Sequence, residues 1–464
     1  MDDKRRARPP LPPPPTLRIV TWNTLGPDNL RGNDYLYVNC HPGSLPWPQR
    51  HPHILDTIVR LNADVVALQE VENFERDFVE PLRSFGINGV FKQRTGGQQD
   101  GVGLLWREAR LSLLHVEELE YAQALTRGVR NVEEQERLRK HNVGLVGLFL
   151  DRLAQRELVV ATTHLLFNPK RGIVKLLQLQ HLLTRADTMR RLQLDRRGGF
   201  AADGDSAGAG RGYDASQPND GNADEQRPSP RACVVLGDFN CTPSSLMHAF
   251  ACGMRVCASA ASEGEWDGHE AELRQQRKGP HAMTVLAPPQ PWQQTQQTQQ
   301  TQQTQQTQQT QQMHSLHYND HEPLHQHSAA APPSWAGATT LSGQGKRSRG
   351  ACIDATHPLA GELISAYGHS RGEPEATTFH KRFLGTVDYI FCSAQDLVVR
   401  TVLPTPSRRE LLSRRSLPDQ FTPSDHVPIA CDVEWRSGAA VAMGRRAAKS
   451  PRVDHRETQP APAR

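Results

Sequence analysis

Polar side chains stand at the ends of six short apolar runs in this chain. Four runs are followed, and two are preceded, by an acid, an amide or an imidazole: Asn23, Glu70, His164, Asp238 with Asn240, Asp388, and Asp425 with His426. In a mixed sheet, the end of one strand can lie beside the start of an antiparallel neighbour. Each residue alone is more typical of a turn, a solvated carboxylate or a partly buried histidine. Together they predict a polar site at one rim of a sheet.

Oxygen atoms dominate the potential metal ligands of this set. The eight cysteines are scattered without a Cys-x-x-Cys pair, so a soft zinc site is not indicated. Carboxylates, waters and phosphate oxygens together complete the octahedron that Mg²⁺ prefers, and Mn²⁺ is the alternative. A cation and an imidazole stabilise charge on a phosphate, and a histidine held by a carboxylate can take a proton from water. The pattern therefore favours a hard divalent cation held by oxygen ligands, with Mg²⁺ as the natural choice.

The runs that carry these residues have the composition of strands. They are short and rich in valine, isoleucine and aromatic residues, and they span 17–22, 64–69, 102–106, 143–150, 157–164, 232–238, 387–392 and 427–435. Helical periodicity is found around Ile54 and Ile58 and again around Leu176 and Leu179. Many strands with few helices predict an α/β chain in which two sheets pack together with helices outside, rather than one doubly wound parallel sheet.

Three low-complexity stretches and a leader interrupt or flank the predicted fold of this 464-residue chain, whose mean hydropathy is −0.61. We expect disorder in a basic, proline-rich leader (1–15), in two inserts (196–230 and 258–350) and in a basic tail (439–464), because such compositions bury too little apolar surface. The second insert contains six QQT triplets and scattered histidines. One catalytic domain spanning 16–438 is predicted around the inserts.

Other bulk features narrow the class of protein. No run approaches the length of a membrane span, and the leader lacks the apolar stretch of a secretory signal. Scattered cysteines favour reduced thiols, so we expect a cytoplasmic or nuclear location. The formal net charge of +4 does not by itself indicate nucleic-acid binding.

Six short motifs resemble, in content and order, those of the endonuclease/exonuclease/phosphatase superfamily. They are TWN (21–23), LQE (68–70), THL (163–165), GDFN (237–240), DYI (388–390) and SDH (424–426). Longer strings, among them 36–47, 91–101, 163–179 and 417–430, are similar to Angel-type members of its RNA deadenylase branch. The resemblance covers nearly all of the predicted folded part and implies a four-layer α/β sandwich, two mixed sheets flanked by helices.

The resemblance also implies roles for the residues at the strand ends. Glu70 would be the chief Mg²⁺ ligand, with Asn23 beside it in the site. Asp425 would help to hold the metal. His426 would take a proton from the attacking water or bind the scissile phosphate, and Asp388 would orient it.

Further roles concern the phosphate and the base. Asp238 and Asn240 would position the nucleophile and the phosphate, and His164 would donate a hydrogen bond to the phosphate. Pro169 and Phe383 stand where the deadenylase branch lines its base pocket, although Angel-type members tend to lack this phenylalanine.

Three cationic residues follow the THL motif. Lys170, Arg171 and Lys175 are expected to contact backbone phosphates, with a solvated helix face as the alternative for the last two.

The resulting expectation is a deadenylase-like 3′–5′ exoribonuclease that acts on single-stranded RNA 3′ ends. One alternative is an Angel-type phosphatase for RNA 2′,3′-cyclic phosphates, because fold and catalytic core do not determine substrate. The other is a non-catalytic scaffold that binds RNA or decay factors. In either case the glutamine-rich insert is a candidate for binding protein partners.

Overall fold

Two six-stranded sheets form the centre of the fold. The computed structural model describes residues 16–192, 231–257, 266–269, 271–272, 274 and 354–436. These residues belong to one compact unit. The predicted leader, the tail, the 196–230 insert and most of the 258–350 insert lie outside the described residues.

The first sheet has the strand order β15-β16-β1-β2-β4-β3. Its strands are β1 (Leu17–Asn23), β2 (Val65–Val71), β3 (Ile87–Gln93), β4 (Gly101–Arg107), β15 (Leu397–Val402) and β16 (Ile429–Trp435). Strands β1 and β2 are parallel, whereas the other neighbours are antiparallel.

The second sheet has the order β11-β14-β8-β7-β6-β5. Its strands are β5 (Leu111–Glu120), β6 (Val143–Asp151), β7 (Arg156–His164), β8 (Ala232–Asp238), β11 (Leu363–Ser365) and β14 (Asp388–Ser393). Here β7 and β8 form the parallel pair. Each sheet is therefore mixed and has one parallel pair.

Short strands and helices complete the described fold. Two strand pairs are β9 (Val256–Cys257) with β10 (Asp354–Ala355), and β12 (Thr378–His380) with β13 (Phe383–Gly385). The helices are α1 (Pro27–Gly32), α2 (Trp47–Leu61), α3 (Glu80–Leu82), α4 (Tyr121–Thr126), α5 (Val132–Leu138), α6 (Gly172–Arg191), α7 (Leu246–Ala251), α8 (Ala366–Ser370) and α9 (Arg408–Ser413).

Three apolar layers hold the sheets and helices together. Alternate residues of the two sheets, such as Ile19 and Val234, pack against each other between the sheets. Ile54 and Ile58 of α2 cover the outer face of the first sheet. Leu179 of α6 lies within the layer that covers the second sheet. The order helix–sheet–sheet–helix confirms the predicted four-layer α/β sandwich.

One segment within the predicted second insert, 258–350, belongs to the folded part of the chain. Trp266 is fully buried in the layer beneath α6 and α7, which corrects the expectation of disorder at this residue. Backbone bonds also tie this residue to the fold, since the Met247 amide donates to the Trp266 carbonyl at 3.0 Å. Composition failed here because one tryptophan can anchor a segment whose other residues are small or charged.

Within the described residues, no helix combines the length and apolar character that crossing a membrane requires.

Candidate active site

The polar strand ends meet at one rim because each sheet has a parallel pair whose carboxyl ends coincide. In the first sheet, Asn23 lies opposite Gln69, the residue before Glu70. In the second, His164 lies opposite Asp238. Strand β14 runs antiparallel to β8, so its first residue, Asp388, also lies opposite Asp238. The expectation that the start of one strand lies beside the end of another is confirmed.

A side-chain amide joins the two sheets at this rim. The Nδ2 atom of Asn23 donates to Oε1 of Glu70 at 3.0 Å and to Oδ2 of Asp238 at 3.0 Å. Asn23 is fully buried, and an unpaired buried amide would be costly. The bridge therefore sets the separation of carboxylates that come from different sheets.

Glu70 occupies an unusual backbone position. Its φ is +56°, in the left-handed region that non-glycine residues adopt rarely, and the pairing of β2 with β4 shifts register here. Such a bulge redirects a side chain at the end of a strand. The Glu70 carboxylate lines the rim pocket and also accepts the Gly26 amide at 3.2 Å. Local strain of this kind is common where a side chain must be aimed at a ligand.

Asp388 and His426 form a buried dyad. Nδ1 of His426 lies 2.8 Å from Oδ2 of Asp388, and the Thr377 hydroxyl donates to the same oxygen at 2.6 Å. Carboxylate contact at Nδ1 leaves Nε2 directed toward the rim, 3.9 Å from Oδ2 of Asp238. Burial lowers the pKa of His426, but the negative charges of Asp388 and Asp425 raise it well above its usual range.

Asp425 lies beside the dyad and is held by a residue that the motif analysis missed. The buried Tyr37 hydroxyl donates to Oδ2 of Asp425 at 3.0 Å. Burial raises the pKa of Asp425 to about 6, the positive charge of His426 lowers it in part, and the negative charge of Glu70 raises it further. Negative charge is therefore concentrated at the rim.

Among the described residues, Asp238, Asp388 and His426 form a group of potential metal ligands whose ligand atoms lie within 4.8 Å of one another. One carboxylate oxygen of this group, Oδ1 of Asp388, is buried without a hydrogen-bond partner among the described residues. Glu70 is linked to the group through Asn23. An oxygen-rich donor set with excess negative charge fits a hard divalent cation.

His164 and Asn240 occupy the second-sheet side of the rim. Nε2 of His164 lies 3.5 Å from Oδ2 of Asp238, while Nδ1 is buried without a partner in the described part of the chain. Asn240 has φ +49°, and its side-chain amide donates to the Leu165 carbonyl at 2.9 Å. The left-handed turn after β8 thus holds Asn240 against the end of β7.

These side chains surround a pocket of about 170 Å³. Its lining includes Tyr37, Glu70, Arg94, Asn142, His164, Phe167, Asp238, Asn240, His269, His380, Phe383, Asp425 and His426. Charged, amide and imidazole side chains line the pocket together with apolar and aromatic residues.

A model of the "Endonuclease/Exonuclease/phosphatase family" matches residues 20–426, which includes every strand-end residue described above. The chain belongs to this family.

Similar proteins include Angel homologues and homologues of carbon catabolite repressor protein 4. "Protein angel homolog 2" of Danio rerio is 29% identical over 437 residues, 89% of this chain and 63% of that protein. "Carbon catabolite repressor protein 4 homolog 5" of Arabidopsis thaliana is 29% identical over 430 residues, 90% of this chain and 77% of that protein. This chain therefore spans less than two thirds of the zebrafish relative.

A solved structure of the same family has a similar fold. The crystal structure of ANGEL2, described as a 2′,3′-cyclic phosphatase and bound to adenosine-2′,3′-vanadate, has a TM-score of 0.59 and 25% identity. The alignment covers 90% of this chain and 96% of that one. The resemblance expected from the six motifs is confirmed.

Not every substrate-binding residue expected from the family resemblance reaches the pocket. Phe383 lines it, but Pro169 does not, and Lys170 and Arg171 lie on the surface before α6. The prediction that Lys175 contacts phosphate is wrong. Its ammonium group is fully buried and donates to Oδ2 of Asp267 at 2.6 Å, so it is not available to a ligand.

Several pocket residues were not predicted from the sequence. Arg94 directly follows β3, so the strand-end pattern could have found it; its Nε atom is buried without a partner in the described ranges. Tyr37 lies outside the strands and helices, and His380 lies in the three-residue strand β12. Neither residue therefore belongs to a run with a clear periodicity. His269 lies in the stretch that composition assigned to disorder.

Proposed function

We propose that the chain is a divalent-cation-dependent hydrolase that cleaves phosphoester bonds at RNA 3′ ends. The observation that supports this most strongly is the Asp388–His426 dyad, which faces Asp238 and His164 across one small pocket. This set can hold a phosphate, position a water and exchange protons. It contains no group that would restrict the alcohol that leaves.

The residues fit Mg²⁺, with Mn²⁺ as the alternative. Glu70, Asp238 and Asp425 would hold the ion, and Asn23 would fix the first two relative to each other. A bound cation supplies charge stabilisation to the phosphate oxygens.

The chain's own residues would act in a simple order. His426 contacts the attacking water or the phosphate through Nε2, and Asp388 fixes the ring through Nδ1. The water oxygen forms the new bond to phosphorus and its proton passes to Nε2 of His426 or to solvent. The bond from phosphorus to a ribose oxygen breaks, and that oxygen takes up a proton from solvent. Asp238 orients the water, and His164 donates to a non-bridging oxygen.

Opening of a terminal 2′,3′-cyclic phosphate is one candidate reaction. It is supported by the 25% identical ANGEL2 structure, which is described as a 2′,3′-cyclic phosphatase.

Removal of 3′-terminal adenylates is the second candidate. Phe383 lines the pocket, and aromatic stacking on a base contributes about 1–3 kcal/mol. The similarity of the motifs to the deadenylase branch of the superfamily also supports it.

A substrate panel tests the proposal. The purified protein is given the same single-stranded RNA ending in a 2′,3′-cyclic phosphate or in an oligo(A) tail with a free 3′ hydroxyl, with Mg²⁺ or with chelator. Mg²⁺-dependent conversion of either RNA supports the proposal and identifies the reaction. Faster cleavage of duplex DNA at an abasic site than of either RNA would contradict it, as would full activity in chelator.

A further inference from the structure

His380 lines the active-site pocket but does not belong to the strand-end groups that carry the proposed chemistry. It is the last residue of β12 and is buried. Backbone hydrogen bonds hold the residues on both sides of it. The Phe379 amide donates to the Asp425 carbonyl at 2.8 Å. The Lys381 amide donates to the Leu36 carbonyl at 3.1 Å. The backbone of His380 therefore has a fixed position next to Asp425.

The turn after β12 determines which ring nitrogen of His380 carries the proton. The Arg382 amide donates to Nδ1 at 3.3 Å, so Nδ1 is an acceptor and is not protonated. Burial, and after it the positive charge of His426, lowers the pKa of His380 to about 3, which agrees with a neutral ring. The proton of the ring is then on Nε2. This atom has no hydrogen-bond partner within the described ranges, so its N–H is available to a ligand in the pocket.

His380 and Asp238 approach the pocket from different sheets. A bridge between Thr378 and His426 places β12 beside the segment that leads into β16 of the first sheet. Asp238 ends β8 of the second sheet, and its Oδ2 atom lies 3.9 Å from Nε2 of His426. The dyad histidine therefore has a carboxylate on its second-sheet side and the N–H of His380 on its first-sheet side.

In-line displacement at phosphorus gives these two sides different roles. The attacking and leaving oxygens lie on opposite sides of the phosphorus atom. In the proposed mechanism Asp238 orients the attacking water, so the leaving ribose oxygen lies on the side of His380. That oxygen gains negative charge as its bond to phosphorus breaks. A fixed, neutral imidazole N–H can stabilise such a charge through a hydrogen bond without losing its own proton.

We propose that His380 is a further catalytic residue, whose Nε2–H donates a hydrogen bond to the ribose oxygen that leaves phosphorus. This inference rests on the proposed hydrolysis at RNA 3′ ends. It applies to the opening of a cyclic phosphate and to the removal of adenylates, because a ribose oxygen leaves in both reactions. The proton that this oxygen takes up still comes from solvent, so His380 is unchanged after each turnover.

The test uses the RNA that the wild-type protein converts and the same RNA with sulfur in place of the leaving ribose oxygen. A thiolate is a weak hydrogen-bond acceptor and leaves readily with its negative charge. His380→Phe retains a planar ring but removes the donor. We expect kcat/KM of this variant to fall by about a hundredfold on the oxygen RNA, the value of one such donor, and by less than about threefold on the sulfur RNA.

Two further variants separate the hydrogen bond from the shape of the side chain. His380→Gln offers an amide N–H in place of the imidazole N–H, and we expect it to be at least about tenfold more active than His380→Phe on the oxygen RNA. His369→Phe makes the same substitution at an exposed histidine of α8 and is the matched control. It should behave as the wild type on both RNAs.

An equal loss on both RNAs in His380→Phe would overturn the assignment, and a lower melting temperature in addition would indicate a structural role. A glutamine variant no more active than the phenylalanine variant would overturn it as well. That comparison needs only the oxygen RNA, so it decides the matter if sulfur blocks the wild-type protein. If the wild type converts no RNA, the proposed function fails and the role of His380 fails with it. Full activity of His380→Phe in an assay where the wild type is active removes His380 alone.

Discussion

At the scale of single residues, Glu70 combines a strained backbone with a carboxylate that faces the pocket. Replacing it with glutamine retains the shape but removes the charge that would hold the cation. We expect turnover to fall by about a thousandfold, corresponding to several kcal/mol of transition-state stabilisation. The assay uses chelator-treated protein with Mg²⁺ restored. Glu133→Gln, on the exposed face of α5, serves as control, and activity of Glu70→Gln within tenfold of wild type would exclude Glu70 as the chief ligand.

The dyad gives a second residue-scale prediction. Asp388→Asn should slow catalysis strongly but less than His426→Ala, because it disturbs the orientation of the ring and retains the ring itself. The double variant should be about as slow as His426→Ala alone, since members of one catalytic unit are not additive. Single-turnover rates of the three variants measure this, and losses that multiply would show that the two residues act independently.

Sequence reasoning succeeded for residues whose position follows from strand ends and failed for those whose environment is set by tertiary packing. Asn23, Asp238 and Asp388 meet because the register of parallel and antiparallel pairs places them together. Lys175 has the spacing of a solvated or phosphate-binding residue, but the buried Asp267 on a distant segment pairs with it. No local pattern in the sequence reports such a partner.

At the scale of elements, the segment 266–269 divides the second insert into a structural part and a remainder. Replacing residues 275–350 with a short Gly/Ser linker should preserve cooperative melting and activity. Replacing 259–350 in the same way also removes Trp266 and Asp267, and we expect a loss of at least about 3–5 kcal/mol, the cost of truncating a buried tryptophan. Thermal melts followed by circular dichroism compare the two proteins.

A point variant tests whether this loss of stability comes from the segment 266–269. Trp266→Ala in the full-length chain should reproduce most of the destabilisation. Equal melting temperatures for the two deletions would show that the segment adds nothing to stability. The strands themselves were predictable from composition, whereas this segment was not, because its stability comes from one side chain and one ion pair.

At the scale of the whole molecule, Asp151 links the two sheets at the end opposite the active site. It is fully buried, lies 2.8 Å from Nε of Arg110 and accepts the Trp435 indole N–H at 2.7 Å. Asp151→Asn should lower the free energy of unfolding by about 3–5 kcal/mol, because it leaves Arg110 without its partner. Urea unfolding measures this, with catalysis expected to be unchanged in the folded protein. The exposed pair of Asp56 with Arg60 provides a control, Asp56→Asn, whose effect should be below about 0.5 kcal/mol.

The same carboxylate predicts a dependence of stability on pH. Burial raises the pKa of Asp151, but hydrogen bonds from Arg110 and Trp435 outweigh it, and the net pKa is below the ordinary 3.8. A carboxylate with a lowered pKa stabilises the fold above its unfolded pKa and loses that contribution as the pH falls through its folded pKa. The acid-induced loss of stability below pH 4 should therefore be smaller in Asp151→Asn than in wild type. If the free energy of unfolding falls equally with pH in Asp151→Asn and in wild type, this contribution of Asp151 is refuted.

The pairing of Cys257 with Asp354 brings the two ends of the long insertion together at neighbouring positions of a small sheet. Cutting the chain between 274 and 354 would therefore leave intact the contacts between the parts before and after the cut. The two fragments would pair through β1 with β16 and through β8 with β14. Glu70 and Asp238 belong to one fragment, and Asp388 and His426 belong to the other. Each fragment alone should be inactive, and co-expression should restore Mg²⁺-dependent turnover, which would make this protein a split reporter of its own assembly.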